Sequence, residues 1–193
     1  MILGITGGTG SGKTSLLKVL EEKGYTVLDC DAIYHNLLKT DNVLLTAIEA
    51  RFPGTVIDSK LDRKKLGSIV FADKSALLDL NTITHAAVKA EVLRILKDHS
   101  GPAAIDAIGL FEGGLAELCD LTVAVTAPEE LRVQRLMARD GISEDYARSR
   151  ISAQRRPEEF EALCDYTLVN DGSEAAFREK CLAFFLDRDI IKP

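Results

Sequence analysis

With 193 residues, 46% of them hydrophobic, the chain has enough apolar surface for one compact domain with a sizeable core and room for a small insertion. A net charge of −6 argues against nucleic-acid or membrane-surface partners, and no apolar run approaches the roughly 20 residues of a membrane span. Cys30, Cys119, Cys164 and Cys181 form no Cys-x-x-Cys pair, which argues against zinc or a redox dithiol. Scattered thiols and an N-terminus without a signal-peptide pattern fit a cytoplasmic protein.

In chain order, Met1 to Thr6 is a short apolar run suited to a buried parallel strand. Gly7 to Thr14 reads GGTGSGKT, and Ser15 to Lys23 is a periodic helix stopped by Gly24. Tyr25 to Leu28 reads as a second strand, ending at Asp29-Cys30-Asp31. From Ala32 to about Leu96 the chain is mostly helical, with breaks at Phe52 to Thr55 and at Asp58 to Lys60. Within it, Asp62 to Phe71 is a short helix and Ala76 to Leu96 a long one. Strands follow at Ala103 to Ile108, Leu121 to Thr126 and Tyr166 to Val169. Helices are predicted from Pro128 to Arg139, from a capping Ser143, and from Ser173 to about Leu186. Strands alternating with helices predict an α/β fold, a parallel five-stranded sheet with helices on both faces. The helical stretch reads as a substrate-binding insertion.

The octapeptide at Gly7 to Thr14 fits the phosphate-loop pattern Gly-x-x-x-x-Gly-Lys-Thr, in the strand–loop–helix context that the pattern requires. Glycines let the backbone wrap a phosphate with its N–H groups inward. Lys13 can reach the β- and γ-phosphates, and the Thr14 hydroxyl can ligate Mg²⁺. The helix that follows adds a partial positive charge.

Asp29 and Asp31 fall at the C-terminal end of the second strand, the edge where open α/β sheets bind ligands. Alternation places both on one side if the strand runs that far. One could take a proton from a substrate hydroxyl while the other orients Mg²⁺ or the base. Alternatively, either caps the helix near Ala32. Asp106, in an apolar strand, reads equally as a metal-linked carboxylate or as a strand-end residue at a helix N-terminus. Glu112 begins a helix and favours its dipole. His85, by spacing alone, is a surface or core histidine. Seven of the twelve arginines, at 132, 135, 139, 148, 150, 155 and 156, crowd one stretch, which suggests a local anion site or a solvated helix face. Arg139, before Asp140-Gly141, reads as a helix-terminal charge or as a lid arginine that clamps the transferred phosphoryl group.

With these residues assembled, the chain closely resembles the dephospho-coenzyme A kinases, nearly end to end. The resemblance rests on Ile5 to Thr14, Val27 to Asp31, Asp62 to Phe71, Asn81 to His85, Leu110-Phe111-Glu112, Arg139-Asp140-Gly141 with Gln154 downstream, and Asp165 to Gly172 (DYTLVNDG). It implies a P-loop nucleoside-triphosphate-hydrolase-like core over 1–31, 101–138 and 158–193, a helical coenzyme-binding insertion over 32–100 and a lid over 139–157. It implies that Gly8, Thr9, Gly10, Ser11, Gly12, Lys13 and Thr14 hold ATP, with Asn170 and Gly172 near the adenine. Asp31 would act as base toward the ribose 3′-hydroxyl of dephospho-CoA, assisted by Lys13 and Arg139, with Mg²⁺ on Thr14 and Asp31. Asp29, His85, Leu110 and Glu112 would meet the substrate. Two positions depart from the family pattern: Ala86 follows His85 where proline is usual, and Ile108 opens the Leu110-Phe111-Glu112 segment in place of another proline. Each replacement restores a backbone N–H and loosens φ.

A shikimate-type kinase shares the phosphate loop, an Asp-x-Asp and a glycine pair such as Gly113-Gly114, but the long helical region and Asp62 to Phe71 count against it. Asp106 to Gly109 fits the Asp-x-x-Gly of GTP switches, yet no Asn-Lys-x-Asp follows.

Overall fold

A computed structural model describes residues 1–192. The elements run β1 (Ile2–Thr6), α1 (Lys13–Glu22), β2 (Thr26–Asp29), α2 (Cys30–Thr40), α3 (Asn42–Arg51), β3 (Val56–Ile57), β4 (Lys60–Leu61), α4 (Arg63–Val70) and α5 (Lys74–Lys97). They continue with β5 (Ala103–Asp106), a 3₁₀ turn (Ala116–Leu118), β6 (Leu121–Thr126), α6 (Glu129–Asp140), α7 (Glu144–Ser152), α8 (Pro157–Leu163), β7 (Tyr166–Val169) and α9 (Glu174–Leu186). The chain divides into two compact units: Met1–Leu28, Gly101–Leu110 and everything from Ala116 onward form the first, while Asp29–Ser100 and Phe111–Leu115 form the second.

The first unit is built on a five-stranded sheet of order β2-β5-β1-β6-β7. Its central strand β1 pairs in parallel with β5 and β6, and β6 with β7. Alternation along β1 decides what each face buries. Leu3 and Ile5 are fully buried against Leu16, Val19 and Leu20 of α1 and Phe177, Cys181 and Phe185 of α9. Gly4 points the other way. A Cβ there would lie 2.8 Å from Cys119 Sγ and 2.9 Å from Leu110 Cδ2, so glycine lets the segment after β5 lie flat on the sheet. The start of β6 is fixed by Asp165, whose Oδ2 accepts from both the backbone N–H and the hydroxyl of Thr122, each at 2.7 Å. Those bonds hold the Asp165 carboxyl below its usual range.

The second unit packs α2, α3 and α4 against α5. Buried residues on α5 recur every fourth position, at Ala76, Leu80, Thr84, Val88 and Val92, which gives one apolar stripe. Four aspartates cap its helices: Asp29, Asp41, Asp62 and Asp73 each accept a first-turn N–H, of Ala32, Val43, Lys65 and Ser75 respectively.

Several expectations change. The second strand starts at Thr26 and ends at Asp29, so Asp29 and Asp31 do not share a strand face: Asp29 caps α2, and Asp31 lies in its first turn. Glu112 begins no helix, because residues 111–114 form turns before the 3₁₀ segment. The break at Asp58 to Lys60 is the tight turn of an antiparallel hairpin, with Asp58 at φ 48° and Ser59 at φ 60°. Both central residues are left-handed, as in a type I′ turn, but without the usual glycine the sequence does not announce it.

The packing of Gly4 yields a prediction. Gly4→Val should lower unfolding free energy by about 1–3 kcal/mol through overpacking, read as a reduced urea midpoint at unchanged slope. An unchanged midpoint would show that this face of β1 is loosely packed.

Candidate functional site

In the first unit β1 runs into the loop of residues 7–12, which opens α1. The loop's shape depends on glycine. Gly7 (φ 137°) and Gly12 (φ 100°) adopt backbone angles that favour glycine, and a Cβ on them would fall 2.1 Å from Val125 O and from Asn170 Nδ2 respectively. No side chain caps α1, whereas α2 to α5 each have a capping aspartate. The N-terminus of α1, with its partial positive charge, is therefore not covered by a capping side chain. Lys13 Nζ folds back to donate to the Gly7 carbonyl at 3.0 Å. Thr14 is exposed in the first turn of α1. Ser11 Oγ is buried without a hydrogen-bond partner. An unsatisfied buried hydroxyl costs about 1–3 kcal/mol, which an anionic oxygen in the loop would relieve. Orphaned hydroxyl, uncapped helix and glycine cradle all fit a bound polyphosphate.

The loop is braced from behind. Arg135 donates to the carbonyls of Gly10 (3.3 Å) and Ser11 (3.4 Å), to Asn170 Oδ1 (3.0 Å) and to the Gly172 carbonyl (3.4 Å). Asn170, 4% exposed, donates from Nδ2 to the Ser11 carbonyl at 2.9 Å. Asn170 thus holds the loop's backbone with its side chain. Arg132 Nε donates to the Thr9 carbonyl at 2.9 Å, and Gln154 Oε1 accepts from the Thr9 N–H at 2.7 Å. The sequence signalled these arginines by their crowding and Gln154 by its place downstream of Arg139, without assigning roles.

Arg139 ends α6, where Gly141 turns the chain at φ 64° toward α7. It donates to both oxygens of Asp140, at 2.7 and 3.0 Å, and Arg150 adds a third bond to Asp140 at 2.7 Å. These bonds, Arg139 first, pull the Asp140 carboxyl down to about 2. A lowered carboxyl pKa stabilises fully above the unfolded value and loses its contribution only as pH falls through about 2, so the pairing persists through any working pH. Val133, Leu136, Ala147 and Ile151 bind α6 to α7.

In the second unit Asp29 and Asp31 are both exposed, with Asp29 Oδ1 occupied by the Ala32 N–H at 2.9 Å. A cavity of about 430 Å³ brings His85 together with Glu112, lined also by Leu78, Asn81, Thr82 and Ala86. Leu110 corrects its expected role. It belongs to the first unit and is fully buried against Gly4, so its side chain serves the core and cannot touch a substrate. No cluster of three or more His, Cys, Asp or Glu that could hold a metal exists among the described residues. Mg²⁺ usually takes one or two side chains plus substrate phosphates, and an exposed hydroxyl such as that of Thr14 fits that donor set. No helix among the described residues is long and apolar enough to cross a membrane.

Comparison with known proteins agrees with this geometry. The family model for dephospho-CoA kinase matches residues 1–176. The chain is 36% identical to the dephospho-CoA kinase of Carboxydothermus hydrogenoformans, over 94% of this chain and 91% of that one. It is 38% identical to that of Mesorhizobium japonicum, over 93% and 92%. Its fold matches the crystal structure of TT1252 from Thermus thermophilus with a TM-score of 0.82 at 33% identity, over 97% of each chain. The five-stranded sheet, the phosphate loop that opens an uncapped helix, and these likenesses along nearly the whole length converge: the chain belongs to the dephospho-CoA kinase family.

Proposed function

We propose that this chain transfers the γ-phosphoryl group of ATP to the ribose 3′-hydroxyl of dephospho-CoA, giving CoA and ADP, the last step of coenzyme A biosynthesis. The observation that carries the reading is the glycine loop on an uncapped helix, within a chain matched to the family over residues 1–176. Family membership makes the chain a kinase acting on an alcohol group, with ATP as co-substrate.

In this reading the α- and β-phosphates of ATP lie in the loop of Gly8 to Gly12, held by backbone N–H groups, while Lys13 leaves the Gly7 carbonyl for the β- and γ-oxygens. The adenine meets the backbone around Asn170 and Gly172, since the Asn170 amide is committed to Ser11 and Arg135. The 3′-oxygen attacks the γ-phosphorus, the β–γ bridging P–O bond breaks toward ADP, and the hydroxyl proton passes to a carboxylate oxygen of Asp31. Asp29, by capping α2, fixes the turn that carries Asp31. Mg²⁺, held by Thr14 and Asp31 together with the nucleotide, would neutralise charge on the phosphate oxygens. Arg139 moves from Asp140 to the transferred group when the lid closes. His85 and Glu112 supply polar contacts to the coenzyme from their shared cavity. An acidic chain with four cysteines outside any disulfide fits action on small molecules in the cytoplasm, without nucleic-acid or membrane partners.

Four measurements test this. With Mg-ATP, ADP release should depend on dephospho-CoA and yield CoA; activity on shikimate, AMP or uridine with none on dephospho-CoA would support a different small-molecule kinase. Asp31→Asn should lower kcat by about 10²–10⁴-fold with little change in melting temperature. Asp29→Ala should instead reduce stability by about 1 kcal/mol through loss of the cap. Near-normal turnover in Asp31→Asn would sink the base assignment. Arg139→Ala should depress kcat by about 10²-fold or more while equilibrium ATP binding changes far less. A pure binding defect would make Arg139 a fixed phosphate contact rather than a lid residue.

A further inference from the structure

Arg132 is 4% exposed, one turn into α6, yet it makes no ion pair among the described residues. Its guanidinium meets neutral acceptors: Nε donates to the Thr9 carbonyl at 2.9 Å and Nη2 to Gln154 Oε1 at 3.3 Å. The carboxylate that acts on it electrostatically, Glu129, is itself bonded to Arg148 at 3.1 Å. Burial lowers the Arg132 pKa, as expected for a cation removed from water without a close counter-charge. The guanidinium lies directly against the phosphate loop, because a Cβ on Gly8 would fall 2.3 Å from Nη2. Gln154 closes the ring: its Oε1 accepts from both Arg132 and the Thr9 N–H, the latter at 2.7 Å. Gln154 stands two residues past the end of α7, so this one amide oxygen ties the return arm of the lid to the loop.

A buried cation facing only carbonyl dipoles is incompletely compensated. A polyphosphate on the inner side of the same loop would supply the missing charge. We propose that Arg132, held by Gln154, is a positioning residue for the nucleotide: it fixes Gly8 and Thr9 in the anion-accepting form of the loop and couples ATP binding to the base of the lid. This rests on the reading of the loop as an ATP site. Coupling is reciprocal, so bound nucleotide also tightens the Arg132–Gln154–Thr9 ring.

The test is calorimetric titration with Mg-ATP and, separately, with dephospho-CoA, on wild type, Arg132→Met, Arg132→Lys, Gln154→Leu and Gln154→Glu, with a melting temperature for each. Arg132→Met and Gln154→Leu should weaken Mg-ATP binding by about tenfold or more, with dephospho-CoA binding within about twofold of wild type. Gln154→Glu should also weaken Mg-ATP binding, since its carboxylate would give Arg132 the counter-charge that the polyphosphate otherwise supplies, and Arg132→Lys should fall between wild type and Arg132→Met. If Arg132→Met does not fold, Gln154→Leu and Arg132→Lys decide the matter by the same criteria. Lower melting temperatures with unchanged Mg-ATP affinity would reduce the ring to a structural contact and overturn the proposal. Wild type that fails to bind Mg-ATP would overturn the nucleotide site itself; wild-type binding with unaltered variants would overturn this inference alone.

Discussion

The phosphate loop opens a helix whose first-turn N–H groups receive no side-chain cap. Regular structure elsewhere in the chain satisfies such groups at once, with an aspartate at the start of each of α2 to α5. At α1 the cap is missing, and the loop before it leaves Ser11 Oγ buried and unpaired. A glycine-rich segment leading into an uncapped helix would relax unless its backbone were fixed. That is what the surroundings do. Carbonyls of Thr9, Gly10 and Ser11 face outward and are each taken by Arg132, Arg135 or Asn170. With the Thr9 N–H held by Gln154 as well, these bonds fix the loop's backbone and so preorganise it. The placement of α6 and of the turn after β7 follows from this requirement.

Arg139, on the same helix as Arg132, is held differently. Arg139 is exposed and would be mobile, but its sequence neighbour Asp140 holds it with two bonds, reinforced by Arg150. An exposed pair of this kind is worth little, so it parks the guanidinium without trapping it. Arg132 and Arg139 therefore contrast on one helix: seven residues apart, one is buried against the loop and the other is exposed and paired with Asp140.

How much of this was legible in the sequence depended on whether the signal was local. Gly7 to Thr14 declares itself because its glycines and its Lys-Thr pair fall at a fixed local spacing, and the strands at Leu121–Thr126 and Tyr166–Val169 appear where apolar runs placed them. Asp29 was ambiguous because a carboxylate at a strand end can cap or catalyse with the same spacing; only the bond to the Ala32 N–H separates the roles. Leu110 looked like part of a functional motif, but its burial under Gly4 is a fact of two segments more than one hundred residues apart in the chain. The hairpin at Val56 to Leu61 escaped because Asp58 and Ser59 take left-handed angles that the sequence marks with glycine in most such turns. Arg132 and Gln154 escaped for the reason Leu110 did: burial is a property of packing, and an arginine on a helix reads as solvated until its surroundings are known.

The two missing prolines can now be given a physical meaning. α5 runs unbroken from Lys74 to Lys97, with Ala86 in mid-helix. A proline there would delete one intrahelical hydrogen bond and press its ring on the carbonyl of Thr82, kinking the helix between Leu80 and Val88. With alanine the buried stripe through Leu80, Thr84 and Val88 stays in line, and His85 shares its cavity with Asn81 and Thr82 from the same straight face. At the other position, the Ile108 carbonyl accepts from the Thr6 hydroxyl at 3.1 Å, so the chain leaving β5 is tied to the end of β1 just before the phosphate loop. In one place the restored N–H completes a helix. In the other, a tether through the preceding strand holds a segment whose φ proline would otherwise have fixed.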